Sequence, residues 1–238
     1  WTGALAQAGL WLFCGTVFAT ASHRILPLDT LAAAPALETR WPLWQLVLLA
    51  AMLALQALDR LLALAGPRVV VWHGLLALLL AAPALWLALL AWRWLRLQRL
   101  GLQLVAMLHA GMVWLALALA LQAVDHGLAA LGRPETLGRA PLHALALGWM
   151  GSTMLAMVSR VAGAFGGQAR AADGSAWVLF ALVQLAAVTR VASSLWPAAA
   201  SWLTTIAGLA WAAAALGWLL VYGRWLGRRP DRPGHLGT

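Results

Sequence analysis

Hydrophobic positions along this chain come in blocks of about twenty residues, broken by short stretches where arginine, proline and glycine collect. A helix that crosses a bilayer needs about twenty such residues, and its lipid-facing sides need no polar cover. The blocks predict an all-α, polytopic membrane protein with about seven transmembrane helices, over residues 3–21, 42–64, 69–92, 101–124, 142–164, 176–196 and 199–221. Pro83 falls inside the third span, with apolar sequence on both sides, so it should kink that helix and not end it. The segment Leu195 to Trp202 is too short for anything but a tight turn, which makes the last two spans a hairpin. The whole chain, 1–238, reads as one transmembrane domain, with residues 223–238 as a short Pro/Gly-rich tail. The opening Trp1 and an immediate apolar run suggest an N-terminally incomplete chain.

Composition agrees with this reading and removes some functions. The chain is 63% hydrophobic with a mean hydropathy of +0.83, beyond what the polar surface of a soluble domain permits. All 16 basic residues are arginine, so no lysine Schiff base, and hence no retinal pigment, can form. The net charge of +9 resides in short loops beside apolar spans, where arginine sets orientation, and no basic stripe points to nucleic acid. The arginine-richer side carries Arg24, Arg40, Arg93, Arg96, Arg99, Arg170 and the tail arginines. That side is expected in the cytoplasm, giving a multi-pass membrane protein with a cytoplasmic C-terminus. The single cysteine, Cys14, rules out a disulfide or CxxC centre and reads as a packing residue. Among the 16 tryptophans, Trp41, Trp44, Trp92, Trp94, Trp196, Trp202 and Trp225 mark span ends, as an interfacial belt does.

Ionisable groups within spans are costly and so are the first candidates for function. His109 lies about eight residues into the fourth span, about 12 Å along it at 1.5 Å per residue. A buried neutral imidazole needs a hydrogen bond, a metal or a haem iron. His143 begins the fifth span and His73 sits near the outer end of the third, so the two share a level where water can also satisfy them. Arg190, two-thirds through the sixth span, must face an anionic or polar partner or snorkel outward beside Ser193 and Ser194. His126 and His235 read as solvated loop residues. In the fifth span, Ala144, Gly148, Gly151, Ser152 and Ser159 form a small-residue stripe that allows close helix approach. Met150, Met154 and Met157 recur with the spacing of one helix face, which suits Cu(I) but more often is core packing.

The sequence has no phosphate-binding loop, dinucleotide fingerprint, HExxH or nucleophile elbow. Asp29, Glu38, Asp125, Glu135, Asp173 and Asp231 are expected in loops or the tail, and Asp59 near a span end. This scarcity of intramembrane carboxylate weakens a proton-coupled transporter reading.

Four segments, in order, resemble the NnrS family of bacterial membrane proteins: FATASHRILPLDT, LHAGMVWLALALAL, PLHALALGWMGSTMLAMVSRV and GRRPDRPG. The family is longer, with about twelve spans, so the resemblance implies that this chain corresponds to its C-terminal part and lacks an N-terminal half. It further implies a haem-containing inner-membrane protein, with copper alongside, tied to nitric oxide metabolism, denitrification and nitrosative stress. Family-motif roles would pass to His23, Arg24, His109, His143 and Arg160, with the histidines as haem or metal ligands. The pattern departs at Phe165, which stands where the family usually has histidine, and at Leu28 and Asp29, where it has two aromatics.

Three functions remain open on this footing. The first is an NnrS-like metalloprotein whose partners are the bilayer and a small gas such as nitric oxide. The second is a metal-free transporter or channel. The third is an accessory subunit that has lost its metal site and uses the small-residue stripe as a partner interface.

Overall fold

In a computed structural model of the chain, residues 70–97, 103–133, 137–165 and 174–223 are described continuously. Before them only scattered positions are described, including Leu10–Cys14 and residues 57–59. Five helices are long and apolar enough to cross a membrane. They are α1 (Val70–Leu97), α2 (Gln103–Ala130), α3, α4 (Gly174–Leu195) and α5 (Ala200–Tyr222). Helix α3 is built from three consecutive pieces: Ala140–His143, a π-helical stretch Ala144–Met150, and Gly151–Phe165. The last five expected spans are therefore present, while most of the first two lies outside the described residues. So do His23, Arg24, His235 and the tail beyond Gly223.

Helix α1 pairs with α2, α4 pairs with α5, and α3 packs between the pairs against α2 and α4. Pro83 is buried within α1 and does not end it. The turn between α4 and α5 is a single 3-10 step, Pro197–Ala199, as the shortness of that segment requires. Helix α2 runs further than hydropathy alone suggests, through Asp125 and His126 to Ala130. Gly132 then takes a φ of 78° and Gly138 a φ of 53°, a left-handed backbone that glycine adopts without strain. Asp125, expected in a loop, lies instead on the last turns of α2 and accepts a hydrogen bond from the Leu137 backbone N–H at 3.3 Å.

Helix α5 is the most lipid-facing of the five, exposing Trp202, Leu209, Leu216, Leu219 and Leu220. Trp92, Trp196 and Trp202 are exposed at helix ends, where a bilayer interface would lie. Other tryptophans are not interfacial. Trp149 is buried in the core among Leu115, Leu119 and Leu145, and Trp114 packs against the same core. Cys14 packs against this core as well.

Between lipid-covered helices there is little hydrophobic force, so close backbone approach and polar contacts hold the bundle. The small-residue stripe of α3 supplies the first. Gly148 lies flat against the Trp114 indole of α2, Gly151 packs against Val183 and Trp211, and Ala144 and Ser152 are fully buried. The π-helical stretch widens α3 at this level. A hydrogen-bonded chain supplies the second. Trp114 Nε1 donates to Gln184 Oε1 at 2.7 Å, and Gln184 Nε2 donates to Ser152 Oγ at 2.8 Å, joining α2, α4 and α3. Nearer the opposite end, Trp218 Nε1 of α5 donates to Ser159 Oγ at 3.2 Å. The stripe is thus covered within the chain, which removes the reason for reading it as a partner interface.

Gly148→Leu should drive a side chain into the Trp114 ring and destabilise the bundle by about 1–3 kcal/mol, the usual cost of overpacking. Gly208→Leu, where nothing lies within 4 Å, should leave it near wild type. Thermal unfolding of both in detergent checks this; equal melting temperatures would contradict the packing.

Candidate functional site

The antiparallel pairing sorts the candidate residues to two ends of the bundle. The start of α1, the end of α2, the start of α3 and the end of α4 lie together, and with them His73, His126, His143 and Arg190. His109 is seventeen residues from His126, about 25 Å along α2 at 1.5 Å per residue. Because α2 extends from Gln103 to Ala130, His109 sits about 9 Å from its first residue, closer to one end than to its middle.

At the first end, α1, α2 and the segment carrying Asp59 bring a polar cluster together. His73 Nδ1 and His126 Nδ1 are 3.0 Å apart, with ring centroids at 5.3 Å and a tilt of 38°. His126 is only 3% exposed, so it is not the solvated loop residue that its position beyond the apolar block suggests. Its Nε2 lies 3.2 Å from the Gln122 side-chain nitrogen, one turn back, and 3.7 Å from Asp59 Oδ2. Asp59 is fully buried, and its Oδ1 accepts a hydrogen bond from Trp72 Nε1 at 2.9 Å. A buried carboxylate is therefore present after all, and the argument from carboxylate scarcity loses its force. With the Gln122 amide donating, His126 Nε2 accepts, which places the proton of a neutral His126 on Nδ1, aimed at His73.

His143 shares this end with His73, as expected, but His73 meets His126 and not His143. His143 is half-buried, with Arg190 and Arg139 as its charged neighbours. Arg190 does not snorkel away from the protein. Its Nη1 donates to Thr204 Oγ1 of α5 at 2.7 Å and to Ser193 Oγ at 3.3 Å, fastening α4 to α5 beside their tight turn.

His109 has a different setting. It is 8% exposed, and its Nδ1 is buried without a hydrogen-bond partner among the described residues. Its ring lines a cavity of about 620 Å³ between α1 and α2. The walls are apolar and largely small, among them Ala84, Ala88, Ala91, Ala116 and Ala120, with Trp92 also lining the cavity. The Arg96 guanidinium stacks 4.8 Å from the Trp92 ring centroid. His109 is the one ionisable side chain in that lining.

Other candidates do not converge. Met150 is buried, Met154 is 52% exposed and Met157 is intermediate, so they form no common thioether face. Arg160 is exposed on α3, seventeen residues beyond His143 and about 25 Å from it. Among the described residues, no group of three or more His, Cys, Asp or Glu is placed to hold a metal ion.

The arrangement defines a class: a multi-helix membrane bundle with one imidazole facing an apolar cavity and an imidazole pair in a buried polar shell. Residues 1–229 match the family described as NnrS protein, and the chain belongs to that family. No curated protein and no solved structure matches the chain.

If Arg190 fastens α4 to α5, Arg190→Gln and Thr204→Val should each lower stability by about 1 kcal/mol, the usual worth of such a bond. The double variant should cost little more than the worse single. Additive losses in thermal unfolding would contradict the clasp.

Proposed function

We propose that this NnrS-family protein binds haem through His109, takes up copper at a separate site, and handles nitric oxide in the bacterial inner membrane. The observation that carries the reading is the His109 Nδ1, a buried nitrogen with no partner among the described residues, on a ring that lines an apolar cavity of about 620 Å³. A buried polar atom without a partner costs about 1–3 kcal/mol, so a ligand that engages it is favoured.

The residues fit a haem. His109 is the nitrogen donor, and the alanines of both helices leave room for a flat apolar group against their backbones. Arg96, stacked on the Trp92 that lines the cavity, would be the nearby cation for carboxylate side groups. Among the described residues His109 is the one imidazole in the lining, so it is the residue that would hold the iron. A bound haem iron would supply the site at which nitric oxide binds. The apolar walls offer the His109 ring no competing polar group among the described residues.

His73 and His126 engage each other at 3.0 Å, so neither offers a free ring nitrogen on that side to hold a haem. His143 and Arg190 do not line the His109 cavity.

One observation favours a second reading. Buried Asp59 beside His126 is the carboxylate–imidazole pair that a proton-coupled transporter uses. Purified protein that is colourless and free of iron and copper would favour that reading.

His109→Ala should abolish haem retention in the purified protein while leaving insertion and monodisperse elution intact. The pyridine haemochrome assay with total iron reads this directly. Wild-type haem content in the variant would overturn the assignment to His109.

A further inference from the structure

Two arginines and an imidazole meet where α3 begins and α4 ends, and neither arginine has an anionic partner among the described residues. We propose that Arg139, Arg190 and His143 form a binding site for the phosphate of an anionic phospholipid, built at the bilayer interface. The proposal is independent of haem at His109.

The backbone brings these side chains together. Gly138 stands against the end of α4, where a Cβ on it would lie 3.9 Å from the Ser194 carbonyl oxygen, and its φ of 53° turns the chain into α3. Arg139 follows directly. Its carbonyl accepts the His143 backbone N–H at 3.0 Å, so the two side chains stand one helical turn apart. The first turn of α3 packs on α4, where Arg190 lies one turn before Ser194.

Arg190 is held with one side of its guanidinium unused. Its hydrogen bonds to Thr204 and Ser193 both leave from Nη1, and Ser193 Oγ in turn donates to the Arg190 carbonyl at 2.8 Å. Nε and Nη2 form the side that meets two phosphate oxygens in parallel, and among the described residues nothing accepts from them. Arg139 is exposed and makes no ion pair among the described residues. A neutral His143 between them adds a third N–H donor. The carboxylates described at this end turn to other partners: Asp125 Oδ1 to the Leu137 N–H, and Asp59 to Trp72 and His126. Two positive charges are thus left without a counter-charge beside lipid, where net charge is costly.

The position selects the source of the phosphate. Trp196, in the turn after α4, and Trp202, on the first turn of α5, are both exposed and mark the interface level. Beyond them α5 faces lipid through Leu209, Leu216 and Leu220, so an acyl chain has an apolar face to follow while its headgroup stays with the arginines. Basic pockets between transmembrane helices favour anionic headgroups, and a pair of arginines favours a lipid of net negative charge over a zwitterionic one.

The test is native mass spectrometry of the full chain released from phosphatidylcholine nanodiscs that contain a minority of phosphatidylglycerol, with haem content measured on the same samples. Wild type should retain one phosphatidylglycerol per chain in preference to phosphatidylcholine. Arg139→Gln breaks no side-chain hydrogen bond or ion pair among the described residues, so it should fold. It and Arg190→Gln should each lower the preference at least about 10-fold, as loss of a charged hydrogen bond does. Arg93→Gln, at an exposed arginine near the far end of α1, should leave it unchanged. Equal retention of the two lipids by wild type, an unchanged preference in Arg139→Gln, or the same loss in Arg93→Gln would each overturn the proposal. Displacement of phosphatidylglycerol by millimolar inorganic phosphate would overturn it as well, by making the ligand a soluble anion. So would loss of haem in Arg139→Gln, which would assign the arginines to haem carboxylates. A wild type without haem that still selects phosphatidylglycerol would count against the His109 reading and support this one.

Discussion

The Trp114–Gln184–Ser152 chain, set beside the contact of Gly148 with Trp114, is the constraint on which the bundle depends. In a bilayer a buried amide or indole N–H finds no water, so it is satisfied inside the protein or at a cost of several kcal/mol. Gln184 is satisfied only when α2, α3 and α4 stand at one relative height. The same height brings the glycine of α3 onto the tryptophan face. The central helix is therefore held by matching of polar groups and small surfaces, while the outer faces of α1 and α5 offer lipid only undirected apolar contact.

Fixing α2 in this way fixes both candidate sites, because both use it. Toward one end it presents His109 to the cavity it shares with α1, and at the other it presents His126 to His73. The sites are about 25 Å apart along one helix, so each has its own surroundings: apolar for His109, polar and carboxylate-backed for His126. One imidazole keeps a nitrogen unengaged among the described residues, while the other is held by its polar neighbours.

Much of the fold was legible in the residues. Apolar blocks of spanning length marked α1 to α5, with ends off by up to six residues in α2, since hydropathy and length alone decide whether a helix can cross. The stripe on α3 was legible because small side chains at helical spacing have few other uses in a membrane. The site was legible only in part. His109 stood out as an ionisable group inside a span, and its burial follows. His126 did not, because it lies past the end of the apolar block, where a loop was expected; the helix continues because Gln122, Asp125 and His126 find partners in the protein. The i, i+4 spacing of Gln122 and His126 was the available signal. The pairing of His73 with His126, and of both with Asp59, joins residues remote in sequence, and no local pattern specifies it. Arg190 was legible as needing a partner, but Thr204 on the next helix was not legible as that partner.

Family membership and helix topology together define a membrane protein of NnrS type, and the chemistry proposed for it turns on whether a haem stands in the His109 cavity with a position open to nitric oxide. The most direct measurement is the reduced-minus-oxidised absorbance spectrum of the detergent-purified chain, recorded with and without nitric oxide alongside total iron. The account predicts a Soret band at about one iron per chain that shifts when nitric oxide is added to the reduced protein. A colourless, iron-free protein, or a haem whose spectrum nitric oxide leaves unchanged, would contradict it.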